Sequence, residues 1–498
     1  MKRTGTFRIM LAADAGLKDM TKLVRIITLL ALAQAALPAA GQLTNVPPAP
    51  VIQAWGGGRH TIALLADGSV WDWGSDVSGK LGDNNVSPSY NVTNGDSFLP
   101  VRVHGPGNFG YLTNVMAISA GEGHNMALKA DGTVWTWGWN GLAQLGDGTT
   151  NDAHTPVQVV GLTNVVAISG RGYFCLAQKS DGTVWSWGWN QYGQLGINSL
   201  NTTLVPVQIL GLTNPASISA GYSIGLALMS NGTVEVWGTS KDGDLGEGSL
   251  NDHSYVPEVV NGLSNVVTAS AGFQNPEVLK SDGTIWMWGY GTWGQLGNSG
   301  LTNSPVPVQV TGLTNMIFAG PTGDRDNCAI GADHTVWTWG RNYDGQLGNG
   351  TASQVFQDTP VQTSPFGNGA YPVMVQTPDW HSLALCSDGT LWAWGSDDHG
   401  QLGNNSTNEQ WSPGAVMWRV VPPATIKIAA GKRPDGSFQL VFTNNPGARF
   451  TVLTSTSLLL PLSQWTPASG VTEDYPGQFQ FTDMPAASAQ RYYRVRSP

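Results

Sequence analysis

The segment Asp-Gly-Thr-Val-Trp-Thr-Trp-Gly at residues 131–138 recurs in varied form seven times along the chain. The recurrences start at Asp67, Asp131, Asp181, Asn231, Asp282, Asp333 and Asp388, in steps of 64, 50, 50, 51, 51 and 55 residues. A repeat of about 50 residues indicates an architecture in which each unit buries its apolar surface against its neighbours. Specific function is therefore expected where the units differ, because the shared residues build the scaffold.

Each unit contains four short strands separated by turn residues. In the second unit these are 112–121, 124–132, 133–138 and 156–160. The Asp-Gly pairs favour two-residue hairpin turns, since glycine accepts a positive φ at little cost. At the one turn with Asp333-His334, histidine tolerates a positive φ better than most residues.

Two tryptophans stand two residues apart in six of the seven units, and residues i and i+2 of a strand share one face. Valine and threonine occupy the other face, so both faces are apolar or nearly so. Sheets buried on both sides pack radially, and seven units predict an all-β, seven-bladed β-propeller over residues 42–420. The predicted structural tryptophans are Trp71, Trp73, Trp135, Trp137, Trp185, Trp187, Trp237, Trp286, Trp288, Trp337, Trp339, Trp392 and Trp394.

Charge is scarce and uneven. Charged residues are 12% of the chain, against roughly 25% in ordinary globular proteins. Residues 42–420 hold 11 basic and 28 acidic side chains, a net charge of −17. Because nucleic acids are bound by neutralising phosphates with Lys and Arg, this domain is not expected to bind nucleic acid or anionic membranes.

Residues 1–41 have the features of a secretory signal peptide. Lys22 and Arg25 precede the apolar run 26–37, and small residues follow at 39–41. Met20 is a possible start. The run is too short for a membrane span, so no integral span is expected in the mature protein. An uncleaved anchor or a buried helix is the alternative. The protein is thus predicted to be secreted or held in the cell envelope.

Residues 421–498 break the repeat period. The segments 437–442, 449–454, 478–482 and 491–496 alternate in polarity as half-exposed strands do, which predicts a small β-sandwich. This tail resembles C-terminal modules of exported bacterial proteins. Its predicted role is a spacer or attachment module, or only a folded cap.

The combined pattern Gly-x-x-His, Ala-Leu, Asp-Gly-x-Val-x-x-Trp-Gly, Asn-x-x-Gly-Gln-Leu-Gly and Pro-Val-x-Val resembles the regulator of chromosome condensation repeat over residues 43–420. The resemblance implies a seven-bladed propeller. It implies roles such as protein binding, as in an exported bacterial inhibitor of β-lactamase, nucleotide exchange on a GTPase, or ultraviolet-B sensing. Glu235 replaces the first tryptophan of unit four, and the repeat histidine survives only as His60, His124 and His381.

The residues after each Trp-Gly vary most, and symmetry places them on one rim. The candidate ligand-binding residues there are Trp139, Leu142, Trp189, Tyr192, Tyr290, Trp293, Asp242 and Asp344. Exposed aromatic rings beside acids are typical of a recognition surface. The alternative is that these rings pack within their own loops.

Catalytic and metal sites are not predicted. Equivalent histidines of adjacent blades are a blade width apart, so hydrogen bonding between blades is favoured over a three-histidine metal site. Cys175, Cys328 and Cys386 fit no metal spacing and are expected to be buried, unreactive thiols. The sequence favours a non-enzymatic, cofactor-free binding protein for an extracellular or envelope protein or glycan. The alternatives are a guanine-nucleotide exchange regulator and a lyase or hydrolase.

Overall fold

The computed structural model describes residues 42–87, 95–250, 252–320, 323, 325–367 and 369–420, and beyond these only the seven strands of the tail. The predicted signal peptide lies outside the described residues. The prediction of a seven-bladed propeller is confirmed, because residues 51–415 form seven antiparallel sheets of four strands each. The four strands of a blade are consecutive in the chain and are called A, B, C and D.

The strands of the first four blades, each in the order A to D, are Val51–Gly56, His60–Leu65, Val70–Gly74 and Ser97–Arg102 in blade 1; Val115–Ala120, His124–Lys129, Val134–Gly138 and Ala153–Gln158 in blade 2; Val165–Arg171, Phe174–Lys179, Thr183–Gly188 and Thr203–Thr213 in blade 3; and Pro215–Ala220, Ile224–Met229, Val234–Ser240 and Asp252–Val259 in blade 4. Those of the last three blades are Val266–Ser270, Glu277–Lys280, Ile285–Gly289 and Ser304–Gln309 in blade 5; Met316–Ala319, Asp326–Gly331, Val336–Asn342 and Ser353–Gln362 in blade 6; and Pro372–Gln376, His381–Cys386, Leu391–Gly395 and Gln410–Ala415 in blade 7. A single 3-10 turn, Pro106–Asn108, follows blade 1 among the described residues.

The hairpin between strands B and C has the same geometry in every blade. Its second residue has a positive φ, 76° at Gly132 and 65° at His334. The aspartate before it caps the turn: Asp131 Oδ1 accepts hydrogen bonds from the backbone N–H and the hydroxyl of Thr133, at 3.1 and 2.6 Å. The repeated Asp-Gly-Thr sequence is thus explained by local backbone chemistry.

The second tryptophan of strand C is the core of each blade interface. Its side chain is fully buried in all seven blades. Its indole N–H donates to a backbone carbonyl of the preceding blade, in the Gln-Leu-Gly segment or its variants, at 2.8–3.0 Å. The residues are Trp73, Trp137, Trp187, Trp237, Trp288, Trp339 and Trp394. Each blade is therefore joined to its neighbour by packing and by a directed hydrogen bond that recurs in all seven blades.

The first tryptophan of strand C lies nearer the hairpin turn than the second tryptophan does, and it is less buried than the second. Trp71, Trp135, Trp185, Trp286 and Trp337 are half-buried, and Trp392 is buried. The Trp135 indole donates to Thr133 Oγ1 at 3.0 Å, and the Lys129 ammonium lies 5.5 Å from its ring centroid. These rings cover the blade edge beside the turn, and lysine chains shield some of them from water.

The ring closes between blades 7 and 1. A buried cluster joins Val51, Ala63 and Trp73 of blade 1 to Leu383 and Leu391 of blade 7. Just outside the blades, the strand Gln42–Thr44 pairs with Trp418–Val420. The Trp418 ring lies edge-on to the rings of Trp71 and Trp73, at 5.8 Å from each. Both ends of the repeat region thus meet at the same seam.

The chain has two compact units, one of residues 43–419 and a second that contains residues 420–498. In the tail, the strands Ile428–Lys432, Phe438–Thr443, Gln478–Asp483 and Thr472–Tyr475 form one antiparallel sheet in that order. The strands Thr466–Ala468, Thr451–Ser455 and Tyr492–Arg496 form another. Strands occur where the sequence predicted them, and their assembly into a sandwich stays a prediction.

Candidate functional site

The propeller has two chemically different faces. Because the four strands of a blade run up and down in sequence, the A–B and C–D loops lie on one face, here called the loop face. The B–C hairpins and the connections between blades lie on the other, called the turn face. The variable residues after each Trp-Gly begin the C–D loops and therefore lie on the loop face, as symmetry predicted.

Six aromatic rings form a continuous cluster on the loop face, across blades 2 to 5. The central ring, Tyr173, contacts Trp139 at 5.2 Å, Tyr222 at 5.6 Å and Trp189 at 5.9 Å. Tyr192 contacts Trp189 at 5.2 Å, and Phe273 stacks on Tyr222 at 4.2 Å. We call these rings (Trp139, Tyr173, Trp189, Tyr192, Tyr222 and Phe273) the aromatic cluster.

The aromatic cluster is assembled from two kinds of loop. Trp139, Trp189 and Tyr192 come from C–D loops, whereas Tyr173, Tyr222 and Phe273 come from A–B loops. The expected alternative, that rings pack only within their own loops, describes Trp189 with Tyr192 but not Trp139, which packs on a ring of the next blade. Most of these rings are half-buried, and Tyr192 is 37% exposed. The cluster therefore presents part of its aromatic surface to solvent.

A second group of rings lies on blades 5 and 6. Trp293 contacts Phe356 at 4.7 Å and Tyr343 at 6.0 Å, and its indole donates to the Tyr290 hydroxyl at 3.1 Å. The Arg325 guanidinium lies 4.6 Å from the Trp293 ring centroid. The two predicted residues Tyr290 and Trp293 thus lie together, apart from the first cluster.

Arg341 continues this group towards blade 7. Its guanidinium lies between the rings of Tyr343 and Trp380, at 4.8 and 4.5 Å from their centroids. Asp344 accepts a hydrogen bond from its Nη2 at 3.2 Å. Arg341 is 6% exposed, and its Nε and Nη1 atoms have no hydrogen-bond partner. The pKa of Asp344 lies above its ordinary value because partial burial raises it, and the charge of Arg341 offsets part of that rise.

Leu142 and Asp242 lie on the loop face but contact neither ring group. The backbone N–H of Leu142 donates to Gln144 Oε1 at 3.0 Å, which orders its own loop. Asp242 accepts a 2.9 Å hydrogen bond from the side chain of Asn303 in the next blade. The structure therefore brings six of the eight candidates into two ring groups and leaves these two outside them.

An Asp–His pair lies at the seam between blades 1 and 7. The Nδ1 of His399 is 2.6 Å from Asp96 Oδ2, and its Nε2 is 3.0 Å from Arg59 Nη1. Arg59 also pairs with Asp398 at 3.2 Å. A catalytic histidine needs its second nitrogen directed at a nucleophile or substrate. Here a guanidinium occupies that position, so the arrangement fastens the seam and does not activate a nucleophile.

The repeat histidines make contacts between blades, in agreement with the structural interpretation. His60 Nε2 is 2.9 Å from Asn125 Oδ1, His381 Nε2 is 2.8 Å from Thr61 Oγ1, and His124 Nε2 is 3.1 Å from Cys175 Sγ. Burial lowers the pKa of His124 to about 3 and that of His381 to about 4. These imidazoles are therefore neutral at neutral pH.

Among the residues that the structure describes, no group of three or more His, Cys, Asp or Glu side chains could hold a metal ion. The three cysteines are buried and unpaired, and burial raises the pKa of the Cys386 thiol to about 12. A thiol with so high a pKa forms little of the reactive thiolate. In the same part of the chain, no helix is long and apolar enough to cross a membrane.

Sequence reasoning missed the contribution of the A–B loops. The residue before the repeat histidine position is Arg59, Tyr173, Arg325 or Trp380 in four blades. Arg59, Tyr173 and Arg325 each contact a loop-face ring, and Trp380 is the ring that Arg59 and Arg341 approach. The signal was present, because this position varies between units as much as the position after Trp-Gly does. What the sequence could not show is which A–B loop meets which C–D loop.

Family models and known proteins resemble this chain over the propeller. An RCC1-like domain model matches residues 30–324, and a regulator of chromosome condensation (RCC1) repeat model matches 333–385 and 388–433. The ultraviolet-B receptor UVR8 of Arabidopsis thaliana is 28% identical over 386 residues, which is 76% of this chain and 72% of that protein. The human E3 ubiquitin-protein ligase HERC2 is 27% identical over 72% of this chain, but the match spans only 5% of that protein.

Two solved structures share the fold. Human WBSCR16 superposes with a TM-score of 0.60 at 22% identity, covering 72% of this chain and 97% of that one. Prp20p of Saccharomyces cerevisiae, described with its binding to Gsp1p and histones, gives 0.58 at 18% identity, covering 71% and 87%. At these identities the likeness concerns the fold alone.

Proposed function

The chain belongs to the regulator of chromosome condensation (RCC1) repeat family, and on this premise we propose that it is a non-enzymatic protein that binds another protein on its loop face. The observation that carries this proposal is the aromatic cluster, six rings drawn from loops of four adjacent blades. Edge-to-face rings form a rigid, amphipathic surface that loses little conformational entropy on binding. Propeller loops on a rigid ring are well suited to such recognition.

The chemistry of the loop face favours a protein over a glycan. The cluster rings pack edge-to-face or stack on one another, which covers part of the flat ring surface that a sugar would use. Arg341 adds two hydrogen-bond donors of fixed direction, since its Nε and Nη1 atoms have no partner within the protein. A carboxylate or carbonyl oxygen of a partner would satisfy them, and buried Arg–carboxylate contacts are strong and specific. A glycan remains the alternative occupant.

Two further parts of the proposal rest on the sequence. The amino-terminal segment supports export, so the partner is proposed to be an extracellular or envelope protein. The net charge of −17 over residues 42–420 argues against nucleic acid as the ligand. Nucleotide exchange on a GTPase is the alternative function implied by the family, and a direct exchange assay distinguishes it from simple binding.

Affinity capture tests the proposal. The full chain without its signal segment is immobilised and exposed to culture medium and envelope extract, and the captured protein is identified and then titrated as a purified species. The double variant Trp139→Ala/Trp189→Ala is expected to weaken that binding at least tenfold, since central aromatic anchors carry most binding energy.

The control is Trp411→Ala, which removes a 48% exposed tryptophan from the outer strand of blade 7, outside both ring groups. This variant is expected to bind as the parent does. The proposal fails if the double variant keeps both its fold and its full affinity, or if the control variant loses affinity equally. Binding of a glycan panel with no captured protein would support the alternative occupant.

A further inference from the structure

The centre of the ring contains a cavity of about 430 Å³. It is lined by the first strands of blades 1 to 7, with hydroxyls such as Ser217 and Ser270 and apolar side chains such as Ile218, Phe318 and Met374. Small-molecule sites in proteins have volumes of about 300–1,000 Å³, mostly apolar walls and a few polar groups. The cavity therefore has the size and lining of a ligand site.

The two ends of the cavity differ. On the loop face, Arg171 of blade 3 reaches across the ring to Asp379 of blade 7 at 3.4 Å and narrows the opening. Towards the turn face, Ala216, Val267 and Thr268 line the cavity and are exposed. A small molecule can therefore enter from the turn face.

Glu277 is the unusual residue of the cavity wall. It stands on strand B, two residues after the position of the repeat histidine. At the position of Glu277 other blades have apolar residues such as Ile62, Leu226 and Leu383. Its side chain is 1% exposed, and both carboxyl oxygens have no hydrogen-bond partner. A buried carboxyl group without a partner is costly. Burial accordingly raises its pKa well above the ordinary value for glutamate.

Trp55 of blade 1 is the second unsatisfied polar group in the wall. It stands on strand A, outside the repeated tryptophan pairs, and lines the same cavity. Its indole N–H is buried and has no acceptor, whereas the indole of Trp73 and its equivalents all donate to a carbonyl. The cavity thus offers one unpaired donor in blade 1 and one unpaired acid in blade 5.

The hairpins on the turn face carry a net negative charge. Asp67, Asp131, Asp181, Asp282, Asp333 and Asp388 are exposed at the hairpins of the turn face. Hydrogen bonds from a threonine lower the pKa of four of them, including Asp131 and Asp282, so these carboxylates are charged at neutral pH. Lys129, Lys179 and Lys280 lie beside three of these aspartates and offset part of the charge, and the net negative charge that is left favours positive over negative ligands.

We propose that the central cavity binds a small organic cation that also carries an acceptor oxygen. A bound positive charge favours the ionised form of the Glu277 carboxyl group and pairs with it, and the oxygen accepts the hydrogen bond of the Trp55 indole. The hydrocarbon part packs on Ile218, Phe318 and Met374. Arg171 does not oppose this binding strongly, because Asp379 is its ion-pair partner. This site is independent of the partner surface on the loop face.

The test uses the full chain and three probes. Ethanolamine and choline each carry a positive nitrogen and a hydroxyl, and dimethylbutanol is the uncharged molecule of the same shape as choline. Titration calorimetry and thermal unfolding are expected to detect choline or ethanolamine at millimolar concentration and not dimethylbutanol. Glu277→Gln is expected to weaken this binding by roughly 10- to 100-fold, because it removes the negative charge that the positive nitrogen of either cation contacts.

Two controls separate a binding role from a structural one. Glu235→Gln makes the same change at a half-buried glutamate of blade 4 that does not line the cavity, and it should leave binding unchanged. Without ligand, Glu277→Gln should unfold at the same or a higher temperature than the parent, because no hydrogen bond is lost. Trp55→Phe keeps an aromatic ring but removes the indole N–H, and it should weaken binding of both cations.

The proposal is overturned if neither cation binds the parent protein, if dimethylbutanol binds as well as choline, or if Glu277→Gln binds unchanged. A lower unfolding temperature of unliganded Glu277→Gln, with binding unchanged, would mark Glu277 as a structural residue only. Each of these outcomes can be read independently of any partner on the loop face.

Discussion

The indole N–H of Trp237 donates a 2.8 Å hydrogen bond to the backbone carbonyl of Gln194 in the preceding blade. Between blades 1 and 2 the equivalent carbonyl is that of Lys80 in blade 1. It accepts hydrogen bonds from the Trp137 indole and from the Asn125 side chain of blade 2. Blade 4 has Gly225 where blade 2 has Asn125, so no side-chain donor supports the Trp237 bond. Trp237 thus makes without a side-chain co-donor a contact that Trp137 shares with Asn125.

We therefore expect Trp237→Phe to destabilise the propeller more than Trp137→Phe. Both changes keep an apolar ring and remove the indole donor, but only the first leaves a buried carbonyl without a side-chain donor, at a cost of about 1–3 kcal/mol. Urea unfolding of the two variants measures the difference. Equal losses would show that the second donor contributes nothing.

The two tryptophans of one blade should differ in their contribution to stability. Trp187→Ala removes a fully buried ring from an interface and is expected to cost about 3–5 kcal/mol. Trp185→Ala removes a half-buried ring beside Lys179 and should cost clearly less. Because total stability is only about 5–15 kcal/mol, the first variant should show a large shift in its thermal midpoint. A larger loss for Trp185→Ala would contradict the assignment of the interface core.

Two aspartates at the closing seam are expected to make stability depend on pH. Asp76 and Asp397 occupy the position of Asn140 and Asn190, and each accepts the backbone N–H of a leucine at 3.0 Å. Burial raises the pKa of Asp76 to about 8 and that of Asp397 to about 7. The folded protein therefore holds these protons more tightly than the unfolded chain does.

The stability due to those protons is present at acidic pH and is lost as pH rises towards 7 and 8. Asp76→Asn and Asp397→Asn keep the acceptor oxygen and remove the titration. We expect each to stabilise the protein near pH 9 by about 1 kcal/mol or more, and to change little at pH 4. Denaturant unfolding at both pH values measures this. A stabilisation of equal size at both would contradict the assignment.

Acid should destabilise the protein through the buried histidines. The folded pKa of His124 is about 3, below the ordinary value of 6.5, so the unfolded chain binds its proton first as pH falls. Stability due to neutral His124 is complete above pH 6.5 and is lost progressively towards pH 3. His124→Phe, which copies Phe174 at the same position of blade 3, should flatten this acid-side loss. An unchanged slope of stability against pH between 6.5 and 4 would contradict it.

Much of the fold could be predicted because the turns and strands of each repeat are determined by residues close together in that repeat. Asp131 and Gly132 form a hairpin through local backbone chemistry, and Trp135 and Trp137 share a face because strands alternate. The half-burial of Trp135 was not foreseen, since its exposure depends on the distance from the hairpin edge. Trp139 and Trp189 were found by comparing units, whereas Tyr173 was missed because the A–B loop position before the repeat histidine was not compared between units.

The sequence by itself determined the number of blades, the strand order within each and the tryptophans that join them, because those features depend on short-range periodicity repeated seven times. Only the tertiary structure decided which distant residues meet. Closure of the ring packs Trp139 on Tyr173 of the next blade, and it puts Trp55 and Glu277 in the wall of one cavity. Such encounters depend on the rotation between blades, which no local pattern in the chain encodes.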